Sequence, residues 1–158
     1  MQEIYQQVNQ FRSNPSEFLA ERGWPNRCTH ALDVAYPPLS VSRGLEAAAH
    51  WSATHQCEPI ISHETCPVYC GLFGGSCSYQ DRIAHFVDVR NPGEILVKGP
   101  KRPLKNAINK QGHCNHLLNP DIDMMGGAIV GNLFMLAFGK AMKKSLERGN
   151  VRRNTRST

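Results

Sequence analysis

The stretch QGHCNHLLNP, from Gln111 to Pro120, sets His113, Cys114, Asn115 and His116 side by side ahead of an apolar pair and a turn. Imidazoles and thiolates are the ligands zinc prefers, and a cysteine near a histidine is the raw material of a nucleophile pair. Cys114 and His113 are poor partners for each other, because adjacent residues on a helix do not face one another. His116 falls three residues after His113, which on a helix brings a third imidazole near the same face. The plainer reading is a helix-end histidine favoured by the C-terminal dipole. A second reservoir of ligands is Cys66, Cys70 and Cys77, separated by four and seven residues, with His63 and His85 to either side. That spacing is not the paired CxxC of a zinc knuckle. The thiols can ligate zinc with a histidine, form disulfides in an exported protein, or stay free.

Six cysteines in all (Cys28, Cys57, Cys66, Cys70, Cys77, Cys114) suit a secreted disulfide framework, whereas a reducing cytosol keeps them as thiols or metal ligands. MQEIYQQVNQFRSNP lacks a basic segment followed by an apolar one, so the expectation is an intracellular protein, cytoplasmic or cytoskeletal, and a secreted one only if a leader has been removed. At 158 residues the chain fits one domain that can bury a core without metal or disulfide. Its longest apolar run, GGAIVGNLFMLAFG, is broken by Gly and Asn and falls short of the roughly 20 residues of a membrane helix, so no transmembrane span is expected. The formal net charge is +5, concentrated in LVKGPKRPLKNAINK (Leu96 to Lys110) and in the tail from Gly139. Lys143, Lys144, Arg148, Arg152, Arg153 and Arg156 make that tail a candidate partner-binding segment. The partner it would fit is first an acidic protein surface such as a tubulin tail, then nucleic acid, then an anionic lipid.

The elements that must position these residues follow from periodicity. In EIYQQVNQF, Ile4, Tyr5, Val8 and Phe11 recur at helical spacing, so a helix starts almost at Met1. After Asn14-Pro15 a short helix resumes in SEFLAER, with Ser16 as its expected start, and Gly23 to Pro38 reads as loop. Ser42 caps a helix whose small residues Ala48, Ala49, Ser52 and Ala53 line up with Leu45. HETCPVYCGLFGGSCSYQDRI, rich in Gly and Cys, reads as one long surface loop. LKNAINKQ is a further helix entered after Pro103, Ile95 to Val97 a strand, and MMGGAIVGNLFMLAFGK a hairpin turned at Gly131-Asn132. This order predicts a mixed α+β domain with helices packed on an antiparallel sheet.

Several segments together resemble the CAP superfamily, whose SCP domain is found in cysteine-rich secretory proteins, venom antigen 5 and plant pathogenesis-related 1 proteins. VNQFRSNP resembles the opening helix, PPLSVSRGLEAAAHWSATH the second helix and IISH the SH motif. NPGEIL resembles the GEN motif, GHCNHLLNP the GH…LLNP motif and MMGGAIVGNLFMLAFGK the closing hairpin. The resemblance covers residues 1–140, in the manner of the short bacterial and protist forms, and leaves 141–158 as a basic C-terminal tail. It implies a three-layer α-β-α sandwich with a central antiparallel sheet. It also implies a cavity of two histidines and two acids in which the histidines can hold a divalent metal such as zinc.

Carried over motif by motif, the cavity residues are His63, Glu94 and His113, with His63 and His113 as metal ligands assisted by Glu94. The second acid is missing: from Ile95 through Gly112 there is no Asp or Glu, while Lys98, Lys101, Arg102, Lys105 and Lys110 are present. Glu64 is next to His63, but on a strand the two would point to opposite faces. Two imidazoles and a carboxylate suffice to bind zinc, yet a hydrolase also needs a base, and Glu94 cannot be both ligand and base. The alternative is that His63 and His113 are buried polar groups bonded to Glu94 and backbone. The sequence therefore predicts a non-catalytic CAP-domain protein that docks through basic segments into an intracellular, cytoskeletal or ciliary assembly. The competing expectations are a metal-dependent hydrolase or lipid- or sterol-binding protein, and a secreted disulfide-bonded effector.

Overall fold

The computed structural model describes residues 1–57, 61–99 and 101–142. Helices α1 (Gln2–Ser13) and α2 (Pro15–Arg22) are separated by Asn14, whose side chain accepts from the Glu17 amide; Asn14, not Ser16, is thus the cap, and Pro15 occupies the first helical position. Gly23 ends α2 in the left-handed conformation, φ 58°. Helix α3 (Arg43–Thr54) opens as expected, with the Ser42 hydroxyl accepting from the Leu45 amide. The segment expected to be one long loop holds a 3-10 helix (Pro67–Phe73) and helix α4 (Tyr79–Phe86). Helices α5 (Pro103–Ile108) and α6 (Gln111–Leu117) follow, so the opening HxxH stretch is helical.

Strands β1 (Ser40–Val41), β2 (Val89–Lys98), β3 (Met124–Val130) and β4 (Leu133–Ala141) form one sheet in the order β1-β3-β4-β2. The hairpin turns at Gly131-Asn132, as its sequence requires, and β2 pairs antiparallel to β4 on the other side. The sheet is not wholly antiparallel: short β1 runs parallel to β3. β4 extends to Ala141, one residue past the boundary expected for the domain. The basic residues Lys143, Lys144, Arg148, Arg152, Arg153 and Arg156 lie outside the described residues. No helix among those described is long and apolar enough to cross a membrane.

Strand alternation divides the core into two. Phe134, Leu136, Phe138, Ile95 and Val97 face α1, α2, α5 and α6, where they meet Phe11, Phe18 and Leu117. Leu133, Met135, Ala137 and Leu96 face α3 and α4, where they meet Leu45, Ala48, Ala49 and Ile83. The structure is the predicted α-β-α sandwich. On the second face the packing is so close that a Cβ on Gly126 would stand 2.2 Å from the Glu46 backbone nitrogen, which explains the glycine at the centre of β3.

Three disulfides join all six cysteines: Cys28–Cys114, Cys57–Cys66 and Cys70–Cys77, with Cα separations of 5.1, 5.2 and 4.8 Å. This removes the thiols as zinc ligands or nucleophiles. Cys114, a poor nucleophile partner for His113 by its spacing, is fully buried and ties α6 to the loop after α2.

Candidate functional site

The same alternation that sends Ile95 and Val97 to one core sends Glu94 to the other, against α4. Its side chain is 1% exposed, and both carboxylate oxygens are engaged. Oε1 lies 3.0 Å from His63 Nδ1, and Oε2 accepts from Arg82 Nη2 at 2.5 Å. Arg82 is equally buried and donates through Nη1 to the His63 carbonyl and the Thr65 hydroxyl, both at 3.1 Å. A guanidinium buried in this way is tolerable because it is paired and hydrogen-bonded on several sides. The network ties together α4, β2 and the segment carrying His63.

Arg82 was not among the residues expected here, because it falls in what reads as a loop. A signal for it exists: Ser78-x-x-Asp81 is a capping pattern, and the Ser78 hydroxyl indeed accepts from the Asp81 amide. Hydrogen bonds from Ser76 and then Ser78 also hold the Asp81 carboxyl below its ordinary value. Once α4 is recognised, Arg82 and Ile83 lie on its inward face.

His63 and His113 come together, with ring centroids 6.2 Å apart and planes at 81°. His63 is partly exposed, its side chain 41% accessible, and lies outside any strand, so strand alternation does not govern Glu64, which is exposed. His113 Nδ1 is buried with no hydrogen-bond partner among the described residues. Burial first, then the charges of Lys110, His63 and His116, lowers the His113 pKa to about 4, so the ring is neutral near pH 7. His116 is shifted down in the same direction by burial and then by His63, and its ring lies over Gly93, where a Cβ would come within 3.3 Å of Nδ1. Tyr79 completes the surroundings, its ring centroid 6.2 Å from that of His63.

The implied three-ligand metal centre fits this arrangement poorly. Among the described residues no group of three or more His, Cys, Asp or Glu side chains is placed to hold a metal ion, so His63, Glu94 and His113 do not make a three-ligand centre. Glu94 is committed to Arg82 instead. The chemistry available without rearrangement is hydrogen bonding by imidazoles beside the Arg82–Glu94 ion pair.

No protein-family model matches the chain, and no curated protein matches it in sequence. Solved structures do match in fold. An extracellular protein containing an SCP domain from Bacillus anthracis superposes with a TM-score of 0.61 at 15% identity, over 86% of this chain and 40% of that one. An outer surface protein from Borrelia burgdorferi gives 0.61 at 22% identity, over 90% and 92% of the two chains. A cysteine-rich secretory protein from Staphylococcus aureus gives 0.56 at 16%, over 88% and 37%. The chain thus spans less than half of the Bacillus and Staphylococcus proteins and nearly all of the Borrelia one. At these identities the likeness is one of architecture: the α-β-α sandwich is that of the SCP domain, the CAP-superfamily fold that the sequence motifs resemble.

Proposed function

We propose that this chain is an exported, disulfide-braced binding protein on the SCP fold, without hydrolytic turnover. The observation that carries the reading is the engagement of Glu94, the single carboxylate of the cluster, by Arg82 and His63. A general base needs its basic atom aimed at the proton it removes, and here both oxygens of that carboxylate are aimed at protein donors. Export is supported by the pairing of all six cysteines, a state that persists in oxidising compartments. The extracellular and outer-surface descriptions of two structural neighbours point the same way. An intracellular cytoskeletal or ciliary role finds no support among the described residues. The test is an ester- and peptide-hydrolysis assay on the oxidised protein with and without added zinc. No turnover is expected; turnover abolished by Glu94→Gln overturns the reading.

A second reading has one observation in its favour. His113 Nδ1, neutral and without a hydrogen-bond partner among the described residues, stands beside His63, so two imidazoles would be open to a divalent cation such as zinc, with solvent completing the shell. Zinc retained at one equivalent after dialysis, and lost in His113→Ala, supports it; no retention removes it.

A further inference from the structure

A half-open concavity lies between α1, the loop after α2 and α5, and it shares no residue with the His63–Glu94–His113 cluster. It encloses about 500 Å³, a volume typical of small-ligand sites. Its apolar wall is made by Ile4, Trp24 and Leu104, and its rim by Lys101, Arg102 and Lys105. None of these three cations forms a salt bridge among the described residues. Glu3, the acid that lines the cavity, accepts from Gln7 Nε2 at 3.1 Å and is thereby turned along α1. Three unneutralised cations beside an aromatic and aliphatic wall form an amphipathic receptor: one end suits concentrated negative charge, the other a hydrocarbon or aromatic body.

The number of cations selects among anions. A carboxylate brings one negative charge, whereas a phosphate monoester brings about 1.5 to 2 at pH 7 on three oxygens. It can therefore engage a guanidinium fork and two ammonium groups at once. We propose that this cavity binds a phosphate monoester of an apolar alcohol, its phosphate on Lys101, Arg102 and Lys105 and its hydrocarbon against Trp24, Ile4 and Leu104. This also gives a role to part of the basic Leu96–Lys110 segment, which the His63 cluster leaves unused.

The probe is octyl phosphate, titrated below its micelle concentration into a Trp51→Phe variant, so that Trp24 is the sole reporter of emission. Calorimetry on the unmodified protein reads the same equilibrium should Trp51→Phe fold poorly. The proposal expects a saturable change with octyl phosphate, at least tenfold weaker binding of inorganic phosphate and of 1-octanol, and at least fivefold weaker binding of octanoate. Lys101→Glu with Lys105→Glu should weaken octyl phosphate at least tenfold with an unchanged far-ultraviolet spectrum. If that pair disturbs the fold, Lys101→Gln with Arg102→Gln should still weaken it at least threefold. No saturable binding, octanoate binding as tightly as octyl phosphate, or indifference to the charge changes overturns the proposal.

Discussion

The two faces of the sheet are built on different plans. On the α1-α2-α5-α6 face large rings fill the space: Phe11 and Phe18 are 5.4 Å apart at 53°, and Phe134 and Phe138 rise from β4 beneath the same layer. On the α3-α4 face Ala48, Ala49, Ala53, Ala128 and Ala137 let helix and sheet approach closely. The thick face carries one long-range bridge, Cys28–Cys114, at a sequence separation of 86. The thin face carries two local bridges, of separation 9 and 7, and the buried Arg82–Glu94 pair. Small side chains bury less apolar area, at about 25 cal/mol per Å². The thin side thus relies on covalent staples and a polar lock to hold the segment that carries His63.

Breaking the bridges separates the two plans. Removing Cys28–Cys114 by double alanine substitution should cost about 4–5 kcal/mol, and removing Cys70–Cys77 about 2–3 kcal/mol, because loop-closure entropy grows with loop length. Chemical denaturation under oxidising conditions measures both. Equal losses would mean that the thin face depends on its staple more than chain entropy requires.

The polar lock is probed by Arg82→Met, which strands Glu94 in the core and should cost about 3–5 kcal/mol. Adding Glu94→Met to the same chain should recover most of that loss, since a buried pair is often replaceable by apolar residues of similar size. A double variant as unstable as the single one would show that the network's remaining bonds, to the His63 carbonyl and Thr65, matter more than the charge pair.

What the sequence disclosed follows the same division. The thick face was readable because Tyr5, Val8 and Phe11 on α1 and the alternation along β4 are strong periodic signals. Ser42 as a cap and Gly131-Asn132 as a turn were equally direct. The thin face is legible only at α3, through its Ser42 cap: the glycines and cysteines from Cys66 to Cys77 mask the 3-10 helix and the α4 that follows it, and six cysteines allow fifteen pairings that sequence cannot choose among. His63, Glu94 and His113 were reached through their resemblance to family motifs. Arg82 is hidden from the sequence because a buried guanidinium is rare and its helix reads as a loop.

The smallest expected effect is a pH dependence. His113 is held to about 4 in the folded chain against 6.5 for an ordinary histidine, so between those values the unfolded chain binds a proton that the native state refuses. Stability should therefore fall as pH drops from about 6.5 towards 4, with His116 acting in the same direction, and no contribution from either remains above that window. Urea midpoints at pH 7, 5.5 and 4.5 should decline less steeply for His113→Gln than for the parent. An identical slope would place the acid sensitivity elsewhere.

Whether the chain is exported, with its polar cluster braced by disulfides, is decided by peptide mapping of unreduced protein taken from its native source after alkylation. No alkylated cysteine is expected, with linked peptides for Cys28–Cys114, Cys57–Cys66 and Cys70–Cys77. Six alkylated cysteines would contradict it.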